Sequence, residues 1–215
     1  MSLDSQLRLM VVTDPTLLKG RGRGGDPVAA CRQAVAGGAT IVQVRDKAAS
    51  ARDLLALARV LVGALSVPVI VNDRVDVALA AGAAGAHLGH DDPPLDQLRP
   101  HLPAGFLLGL SVGSPAEAER GRTWPADYWS VGPCFPTAHK PDAGAPLGAA
   151  GFARLAHLAP TGTPVIGIGG ITPNNAGEIA RAGAAGVAVI GAVWEGEGGL
   201  SDPTAAARAL RAAFA

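Results

Sequence analysis

Residues Pro164 to Gly191 read PVIGIGGITPNNAGEIARAGAAGVAVIG, and their pattern is the strongest indication of the fold. Within it, Val165 to Ile168 and Val187 to Ile190 are short apolar runs that end next to glycine. Such runs are typical of strands in a parallel sheet, because helices cover both faces of that sheet. The stretch therefore predicts one strand–helix–strand unit.

The segment between the two runs carries the start and stop signals of a helix. Thr172 is predicted to cap the helix, Pro173 to lie in its first turn and Gly183 to close it. Glycines at both strand ends would leave backbone N–H groups bare, and such groups bind phosphate together with a helix N-terminus. The phosphate site of a β/α barrel usually follows strands seven and eight, so we expect this unit to end a barrel. The alternative is that the glycines only allow close packing.

The alternation of apolar runs and helical patterns extends over the whole chain. Strands are predicted at 7–13, 40–44, 67–72, 86–88, 106–111, 127–131, 165–168 and 187–190, with helices at 27–36, 51–65, 75–81, 94–99, 115–120, 149–157, 173–182 and 203–214. This order predicts an α/β protein, a single (β/α)8 TIM barrel forming one domain over residues 1–215. An open doubly wound sheet is the main alternative. The segment AGAAGA at 81–86 recurs as AGAAGV at 182–187, which favours a barrel of two similar halves.

The composition excludes several classes of function. The chain has 215 residues, of which 48% are hydrophobic and 17% charged, and its formal net charge is zero. A neutral chain without a basic run is not expected to bind nucleic acid, and no apolar run is long enough for a membrane span or a signal core. Cys31 and Cys134 are read as free thiols in a reducing compartment. We expect a cytoplasmic protein with small-molecule partners, and a homo-oligomer is compatible with the sequence.

Two long segments without predicted structure follow strands, at Asp14 to Asp26 and at Gly132 to Gly148. Both are expected on the C-terminal rim of the barrel, where long loops tend to be lids or binding segments. The alternative for the first segment is a solvated excursion from the fold.

Polar side chains end the second predicted strand. Alternation places Gln43, Arg45 and Lys47 on one face of this strand, with valines on the other. The polar face is expected to point into the barrel mouth, where two cations suit a multiply charged phosphate. A cluster of salt bridges on the rim is the alternative.

Acidic side chains end the third and fourth predicted strands. Asp73 follows Asn72 at one strand end, and Asp92 lies shortly after the next strand. Mg²⁺ typically joins a few carboxylates to substrate phosphates, so Asp73 and Asp92 are predicted metal ligands. His87 and His90 raise a transition-metal alternative, but no third imidazole or thiolate is spaced to join them. His87 is predicted to lie within the strand.

A hydroxyl and a cation follow the fifth and sixth predicted strands. Ser111 can hydrogen-bond a substrate, and no His–Asp arrangement marks it as a nucleophile. Lys140 supplies a further cation for a phosphate or a leaving group. From the residues alone, we expect a Mg²⁺-dependent barrel enzyme. It would handle a diphosphate near strands two to four and a monophosphate near strands seven and eight.

These motifs, taken in order, resemble the thiamine phosphate synthase family. The matching segments are QVRDK at 43–47, NDRVD at 72–76, HLGHDD at 87–92, SV at 111–112, GPCFPTAHK at 132–140 and GIGGI at 167–171. The resemblance implies a transferase of thiamine biosynthesis with Mg²⁺ as its cofactor. The implied reaction couples 4-amino-2-methyl-5-(diphosphooxymethyl)pyrimidine with 4-methyl-5-(2-phosphooxyethyl)thiazole by dissociative substitution. Its products are thiamine phosphate and diphosphate.

The resemblance also implies roles for particular residues. The pyrimidine diphosphate would be held by Gln43, Arg45, Lys47, Asn72, Ser111 and Lys140, with Val44 and Asp46 in the same binding segment. The Mg²⁺ ligands would be Asp73 and Asp92, and the catalytic candidates are Ser111 and Lys140. The thiazole phosphate would lie against Thr137, Ala138, His139, Gly169, Ile190 and Gly191.

The chain departs from the family pattern mainly at the phosphate end. His139 stands where a second threonine often contacts the thiazole phosphate, and Gly191 stands where serine is usual. Asp46 replaces a frequent glutamate, and Gly113 replaces a common histidine. Backbone donors can still bind the phosphate.

Two other functions share part of the pattern. The sister family TenI, a thiazole tautomerase, has the barrel and the phosphate site. It lacks the acid pair after the fourth strand and typically lacks counterparts of Gln43 and Lys47. A non-catalytic regulator that binds thiazole phosphate or thiamine phosphate is the other alternative.

Overall fold

A closed barrel of parallel strands forms the centre of the computed structural model, which describes residues 2–19, 26–139, 144–195 and 202–214. The strands are β1 (Leu9–Val12), β2 (Ile41–Val44), β3 (Val69–Asn72), β4 (Gly85–Leu88), β5 (Leu107–Val112), β6 (Tyr128–Val131), β7 (Val165–Ile168) and β8 (Gly186–Val189). Each strand pairs with the next along the chain, and β8 pairs with β1. The predicted TIM barrel is confirmed, and the open sheet is wrong because the last strand closes onto the first.

Helices connect the strands and surround the barrel. They are α1 (Leu3–Gln6), α2 (Pro15–Lys19), α3 (Pro27–Ala36), α4 (Ala51–Ala64), α5 (Val75–Ala81), α6 (Leu95–Leu98), α7 (Pro115–Gly121), α8 (Gly148–Ala156), α9 (Ala176–Arg181), α10 (Gly191–Trp194) and α11 (Pro203–Ala212), and a 3-10 turn (Arg99–His101) follows α6. None of the helices in the described ranges is long and apolar enough to cross a membrane.

Helix α4 shows how local sequence forms this outer layer. The Ser50 hydroxyl accepts a hydrogen bond from the backbone N–H of Asp53 at 3.2 Å, which satisfies one of the open donors of the first turn. Leu54, Ala58 and Leu61 follow at helical spacing and are buried against the barrel. The helix predicted at 51–65 is confirmed, because these apolar residues recur at the spacing that places them on one face of a helix.

The strands separate two hydrophobic clusters. The inner cluster fills the barrel and contains Leu7, Met10, Val12, Ile41, Ile70, Tyr128, Ile166 and Ala188. The outer cluster lies between the strands and the helices, and it includes Val11, Val42, Val44, Val71 and Val131. Because side chains alternate between the two faces of each strand, both faces need apolar residues, and the strands are therefore continuous apolar runs.

The repeated AGAAG segment has a structural cause. Gly82 and Gly183 follow α5 and α9 with φ of 68° and 94°, a left-handed conformation that glycine adopts without steric cost. Gly85 and Gly186 begin β4 and β8. A Cβ on Gly85 would lie 2.2 Å from the Leu107 carbonyl oxygen, and one on Gly186 would meet Leu7 backbone atoms even more closely. In both copies of the repeat, the first glycine follows a helix, and the second glycine lets the adjacent backbone pack closely against the start of the next strand.

Three details of the sequence prediction are wrong. Helix α9 begins at Ala176 rather than Pro173, and Thr172 does not cap it. Instead the backbone N–H of Thr172 donates to Asn175 Oδ1 at 2.8 Å, so residues 172–175 form a turn before the helix. Part of the predicted loop after β1 is helix α2, which Asp14 caps by accepting from Thr16 N at 2.9 Å. Short helix α10 directly after β8 was not predicted, because four residues are too few for a periodic pattern.

Candidate functional site

A cavity of about 530 Å³ opens at the carboxyl ends of the strands. Residues from all eight strand ends contribute to its walls, as expected of a barrel of this kind. The site residues expected from the sequence that line the cavity are Gln43, Arg45, Lys47, Asn72, Asp73, Asp92, Ser111, Thr137, Ala138, His139, Gly169, Ile190 and Gly191. The fold therefore brings residues from distant parts of the chain to one concave site.

Two of the expected site residues do not line the cavity, and a third is not among the described residues. Val44 is fully buried in the outer cluster, because it alternates with Gln43 and Arg45 along β2. Asp46 turns its carboxylate to the backbone N–H groups of Ala48 and Ala49, at 3.0 and 3.1 Å. Lys140 lies outside the described residues.

The side chains that line the cavity divide its wall into two parts. Along β2 to β6 they are polar or charged, and we call this part the polar half: Gln43, Arg45, Lys47, Asn72, Asp73, His87, Asp92, Ser111 and Ser130. Along β7 and β8 they are apolar or glycine, and we call this part the glycine shelf: Ile168, Gly169, Gly170, Ala188, Ile190 and Gly191. The two parts face the same space, so one ligand can lie against each.

Two carboxylates meet in the polar half. Asp92 is held by the Gly89 N–H, which donates to its Oδ2 at 2.7 Å, and Asp73 has a left-handed backbone with φ of 61°. Burial raises the pKa of the Asp73 carboxyl, the neighbouring charge of Asp92 raises that pKa further, and Lys47 lowers it. The two carboxyl groups are close enough for their charges to repel each other, so one proton or one cation relieves that repulsion.

This donor set fits a hard divalent cation that keeps open positions. Oxygen donors suit Mg²⁺, which is usually bound by one or two carboxylates together with substrate phosphates. Within the described parts of the chain, no group of three or more His, Cys, Asp or Glu side chains could hold a metal ion. Asp73 and Asp92 would therefore need oxygen atoms from a ligand to complete a coordination shell. The Lys47 and Arg45 cations beside them favour an anionic ligand.

Arg45 is anchored by a residue that sequence reasoning missed. Thr13 is fully buried after β1, and its Oγ1 accepts a hydrogen bond from the Arg45 backbone N–H at 2.9 Å. The same hydroxyl donates to the Arg45 carbonyl oxygen at 3.0 Å. These two bonds tie the ends of β1 and β2 together and fix the backbone from which the Arg45 side chain reaches the cavity.

A chain of hydrogen bonds beneath the cavity orients Ser111. Tyr128 OH lies 2.8 Å from His87 Nδ1, and His87 Nε2 lies 2.9 Å from Ser111 Oγ. Complete burial raises the pKa of Tyr128, so the phenol keeps its proton and can donate a hydrogen bond to His87 Nδ1. In the tautomer that accepts this bond, the imidazole hydrogen lies on Nε2 and is directed at Ser111 Oγ, and the Ser111 hydrogen can then point into the cavity.

Gly109 makes this chain of hydrogen bonds possible. A Cβ at Gly109 would lie 2.2 Å from Tyr128 Cζ and 2.3 Å from His87 Nδ1. A larger residue would therefore push the two rings apart. The prediction that His87 lies within a strand is confirmed. The contact between the His87 and Tyr128 rings could not be predicted, because the alternation of side chains along a strand does not show which residues of other strands they meet.

The transition-metal alternative finds no support in this arrangement. His87 is engaged with Tyr128 and Ser111. The His90 ring packs on Trp124 with the ring centres 5.0 Å apart, and burial lowers the pKa of His90. The two imidazoles thus have separate environments.

The glycine shelf is built by close backbone contacts. The segment after β6 lies against β7, since Cys134 N donates to the Ile168 carbonyl at 2.8 Å and Phe135 N to the Gly169 carbonyl at 3.0 Å. Gly169 and Gly170 have φ of 92° and 62°. A Cβ at Gly169 would lie 2.8 Å from Pro133 Cα, and one at Gly170 would lie 2.4 Å from the Pro136 carbonyl oxygen. Only glycine fits both positions, and the exposed backbone there suits an anion.

His139 lies over the end of the shelf. Its Nε2 is 3.2 Å from Glu195 Oε2, and its side chain is 19% exposed. A Cβ at Gly191 would lie 2.4 Å from His139 Nε2 and 2.8 Å from Glu195 Oε2. The two departures from the family pattern are therefore linked, because the absence of a side chain at Gly191 makes room for the imidazole.

Ser130 is a cavity residue that sequence reasoning missed. It lies on β6, two positions after Tyr128, so both side chains face into the barrel. Its side chain is 2% exposed, and its hydroxyl has no hydrogen-bond partner among the residues that the structure describes. Alternation from Tyr128 is the sequence signal that points to this position.

Comparison with known proteins gives a consistent result. Residues 9–193 match the family model described as thiamine monophosphate synthase. The chain is 48% identical over 209 residues to a protein of Methanoculleus marisnigri named thiamine-phosphate synthase, with 94% of this chain and 93% of that protein covered. A protein of the same name from Chloroflexus aurantiacus is 46% identical over 209 residues, with 95% and 91% covered. The solved structure of thiamine phosphate pyrophosphorylase from Pyrococcus furiosus has a TM-score of 0.83 and 35% identity, covering 99% of this chain and 98% of that chain.

Proposed function

The chain belongs to the thiamine monophosphate synthase family, and from this membership we propose how its cavity works as a transferase site. Its relatives are thiamine-phosphate synthases, so the chain is an enzyme that makes thiamine phosphate. We infer that the polar half binds 4-amino-2-methyl-5-(diphosphooxymethyl)pyrimidine. The glycine shelf binds 4-methyl-5-(2-phosphooxyethyl)thiazole.

One observation supports this assignment. A single cavity has two different surfaces that suit an anion, one with paired acids and cations and the other with glycine backbone. A diphosphate that departs needs a metal ion and cations to stabilise its growing charge, whereas a phosphate that stays on its substrate needs only to be held. Two surfaces of these kinds suit a reaction that loses one phosphate group and retains the other.

The residues fit a Mg²⁺ ion as the cofactor. Asp73 and Asp92 would hold the ion. Burial and then the charge of Asp92 raise the pKa of Asp73, and a divalent cation would favour the ionised form of this carboxyl. When bound, Mg²⁺ would neutralise part of the charge that develops on the diphosphate.

The other side chains of the polar half position the diphosphate and share its charge. Arg45 and Lys47 supply cations, and the Arg45 guanidinium can bind phosphate oxygens in a bidentate way. Asn72 offers an amide, and Ser111 can present its hydrogen as a donor when the hydrogen on His87 Nε2 is directed at the Ser111 oxygen. By the family pattern, Lys140 adds a further cation.

The chemistry needs positioning more than proton transfer. The bond between the pyrimidine methylene carbon and the diphosphate oxygen breaks, and the electron-rich aminopyrimidine stabilises the resulting cation. The thiazole nitrogen then uses its lone pair to form the new carbon–nitrogen bond. Holding both substrates in one cavity supplies proximity, and the bound substrates displace water, which would otherwise trap the cation.

The contents of the cavity favour synthesis over the two alternatives. The acid pair and the side chains of Gln43 and Lys47 all line it. A thiazole tautomerase or a phosphate-binding regulator has no need of these groups.

We also infer a cytoplasmic location, since Cys31 and Cys134 are free thiols.

The test is product formation from both substrates. The wild-type protein is expected to release diphosphate and form thiamine phosphate in equal amounts, with Mg²⁺ required and EDTA inhibiting. Asp92→Asn should lower turnover by about 10²- to 10³-fold because it removes one proposed metal ligand. Asp96→Asn is the matched control, since Asp96 is exposed in the first turn of α6 and does not line the cavity. Wild-type protein that binds the thiazole phosphate but releases no diphosphate would favour the regulator.

A further inference from the structure

A buried hydroxyl in the cavity floor carries the inference. Ser130 Oγ is inaccessible from bulk solvent, lines the cavity and has no hydrogen-bond partner among the described residues. Buried polar side chains are usually hydrogen-bonded, and an unsatisfied hydroxyl destabilises the folded protein. A hydroxyl kept at such a position therefore points to a partner that arrives with the ligand.

The surroundings of Ser130 restrict what that partner is. Strand pairing sets Ser130 beside Ser111 on β5 and beside Ile166 on β7. Ser130 is thus the last polar side chain of the polar half before the apolar side chains of the glycine shelf begin. It lies deep in the cavity, below the charged residues at the strand ends, where a ring rather than a phosphate would be bound.

We propose that Ser130 Oγ hydrogen-bonds the edge of the aminopyrimidine ring, and that Ser130 is a specificity-determining residue for that substrate. The inference rests on the proposed function and deepens it. A hydroxyl can donate to a ring nitrogen or accept from an exocyclic amino group, and the pyrimidine offers both. Ser111 on the neighbouring strand is assigned to the diphosphate, so Ser130 is the hydroxyl beside it that is left to face the polar edge of the ring.

The thiazole ring is the less suitable partner. Its one ring nitrogen must keep its lone pair available to attack the methylene carbon, so a hydrogen bond donated to that nitrogen would oppose the reaction. The wall on the thiazole side is formed by Ile168, Ala188 and Ile190, which match the apolar parts of that ring. The chemistry and the wall both favour the pyrimidine.

The experiment measures stability and binding of Ser130→Ala. Removal of an unsatisfied buried hydroxyl should raise the Tm of the ligand-free protein by about 2–4 °C. The same change should weaken binding of the pyrimidine diphosphate by about 3- to 10-fold, measured by calorimetry with Mg²⁺ and without the thiazole. Binding of the thiazole phosphate should not change. A stabilised protein with weaker binding of one substrate is not expected of a purely structural serine.

The isosteric variant Ser130→Cys serves as a second measurement, because a thiol keeps the shape but is a weak hydrogen-bond partner. It should lose pyrimidine affinity as Ser130→Ala does. Unchanged pyrimidine affinity in both variants, or a loss confined to the thiazole phosphate, would overturn the inference while the proposed function stands. Wild-type protein that binds no pyrimidine diphosphate would overturn both.

Discussion

The polar half and the glycine shelf offer an anion opposite kinds of binding surface. The polar half uses long charged side chains, a pair of acids and hydroxyls on β2 to β6. The shelf uses backbone, with glycine at positions where a Cβ would lie within 2.8 Å of neighbouring backbone. Both can bind phosphate, but only the polar half contains groups that can respond to a change of charge during a reaction.

This difference predicts how each part tolerates substitution. In the polar half, a change of chemistry at constant size should damage turnover, since charge and donor direction carry the function there. On the shelf, the addition of a single carbon should damage binding of one substrate, since space and backbone conformation carry the function there. Variants that break this division would show that the two substrates are not separated as proposed.

The largest effect is expected for Asp73→Asn in the polar half. Asparagine tolerates the left-handed backbone of this position, so the change removes charge with little strain. Turnover should fall by about 10²- to 10³-fold, measured as diphosphate release at saturating substrates. The KM for the thiazole phosphate should stay close to that of the wild type, and a large rise in that KM would break the division.

The same variant also tests the electrostatics of the acid pair. An unfolded Asp73 has an ordinary pKa of 3.8, and burial and then Asp92 raise the pKa in the folded state. Ionisation therefore costs the folded protein stability as pH rises from 3.8 through the folded pKa. Without added metal, Asp73→Asn should be more stable than wild type at neutral pH and gain nothing below pH 3.8, by chemical denaturation. An equal difference at both pH values would contradict this account.

The second effect is expected for Gly169→Ala on the shelf. The added Cβ would lie 2.8 Å from Pro133 Cα and would also strain the backbone at φ of 92°. The KM for the thiazole phosphate should rise by about 10- to 100-fold, with the KM for the pyrimidine diphosphate little changed. Gly183→Ala is the matched control, because Gly183 has nearly the same φ of 94° and open space around it. Equal kinetic losses in both variants would mean that backbone strain, not the shelf, is responsible.

A smaller effect is expected for Tyr128→Phe. The variant removes the donor to His87 Nδ1, so the imidazole is held less firmly and Ser111 loses its fixed direction. Turnover should fall by about 3- to 10-fold, with little change in the KM for the thiazole phosphate. Nitrogen NMR on the wild-type protein should show His87 neutral with its hydrogen on Nε2. A hydrogen on Nδ1 would contradict the assigned direction of the whole chain of bonds.

The smallest effect is expected for Glu195→Gln. The Glu195 carboxylate is 3.2 Å from His139 Nε2 and lines the cavity beside the shelf, where its negative charge opposes a bound phosphate. Removing that charge should lower the KM for the thiazole phosphate by about 2- to 3-fold, the range of an exposed ion pair. Glu178→Gln, on an exposed part of α9, should change neither KM. A rise in the KM for Glu195→Gln would indicate that the pair holds His139 in its binding position.

Much of the fold followed from local pattern. Each of the eight predicted strands is present and begins within two residues of its expected start, because a strand buried on both faces is a short, largely apolar run. The start of α9 was wrong because Thr172 and Pro173 are good helix-start residues, but the side chain of Asn175 bonds the Thr172 backbone and holds a turn instead. Signals of this kind compete locally, and the sequence alone does not show which one prevails.

The candidate site followed in part from the same reasoning. Residues at strand ends, such as Arg45 and Asp73, were found because strand ends converge in a barrel. Val44 and Asp46 were included because they lie in a segment that matches the family pattern. The alternation of β2 places the Val44 side chain in the outer cluster, and the Asp46 carboxylate accepts a backbone hydrogen bond from Ala48. Ser130 was missed because a lone serine within an apolar strand gives no signal of what it faces.

Local pattern was enough to show that this chain is a parallel β/α protein with acids, cations and glycines at its strand ends. Periodicity and strand-end composition are local properties, and local properties can be read along a chain. The folded structure was needed to show that His87 joins Tyr128 to Ser111, that Gly191 makes room for His139, and that Ser130 faces the cavity without a hydrogen-bond partner among the described residues. Those contacts join residues far apart in sequence, and closure of the barrel, which sets the register of every strand against its neighbours, brings them within reach.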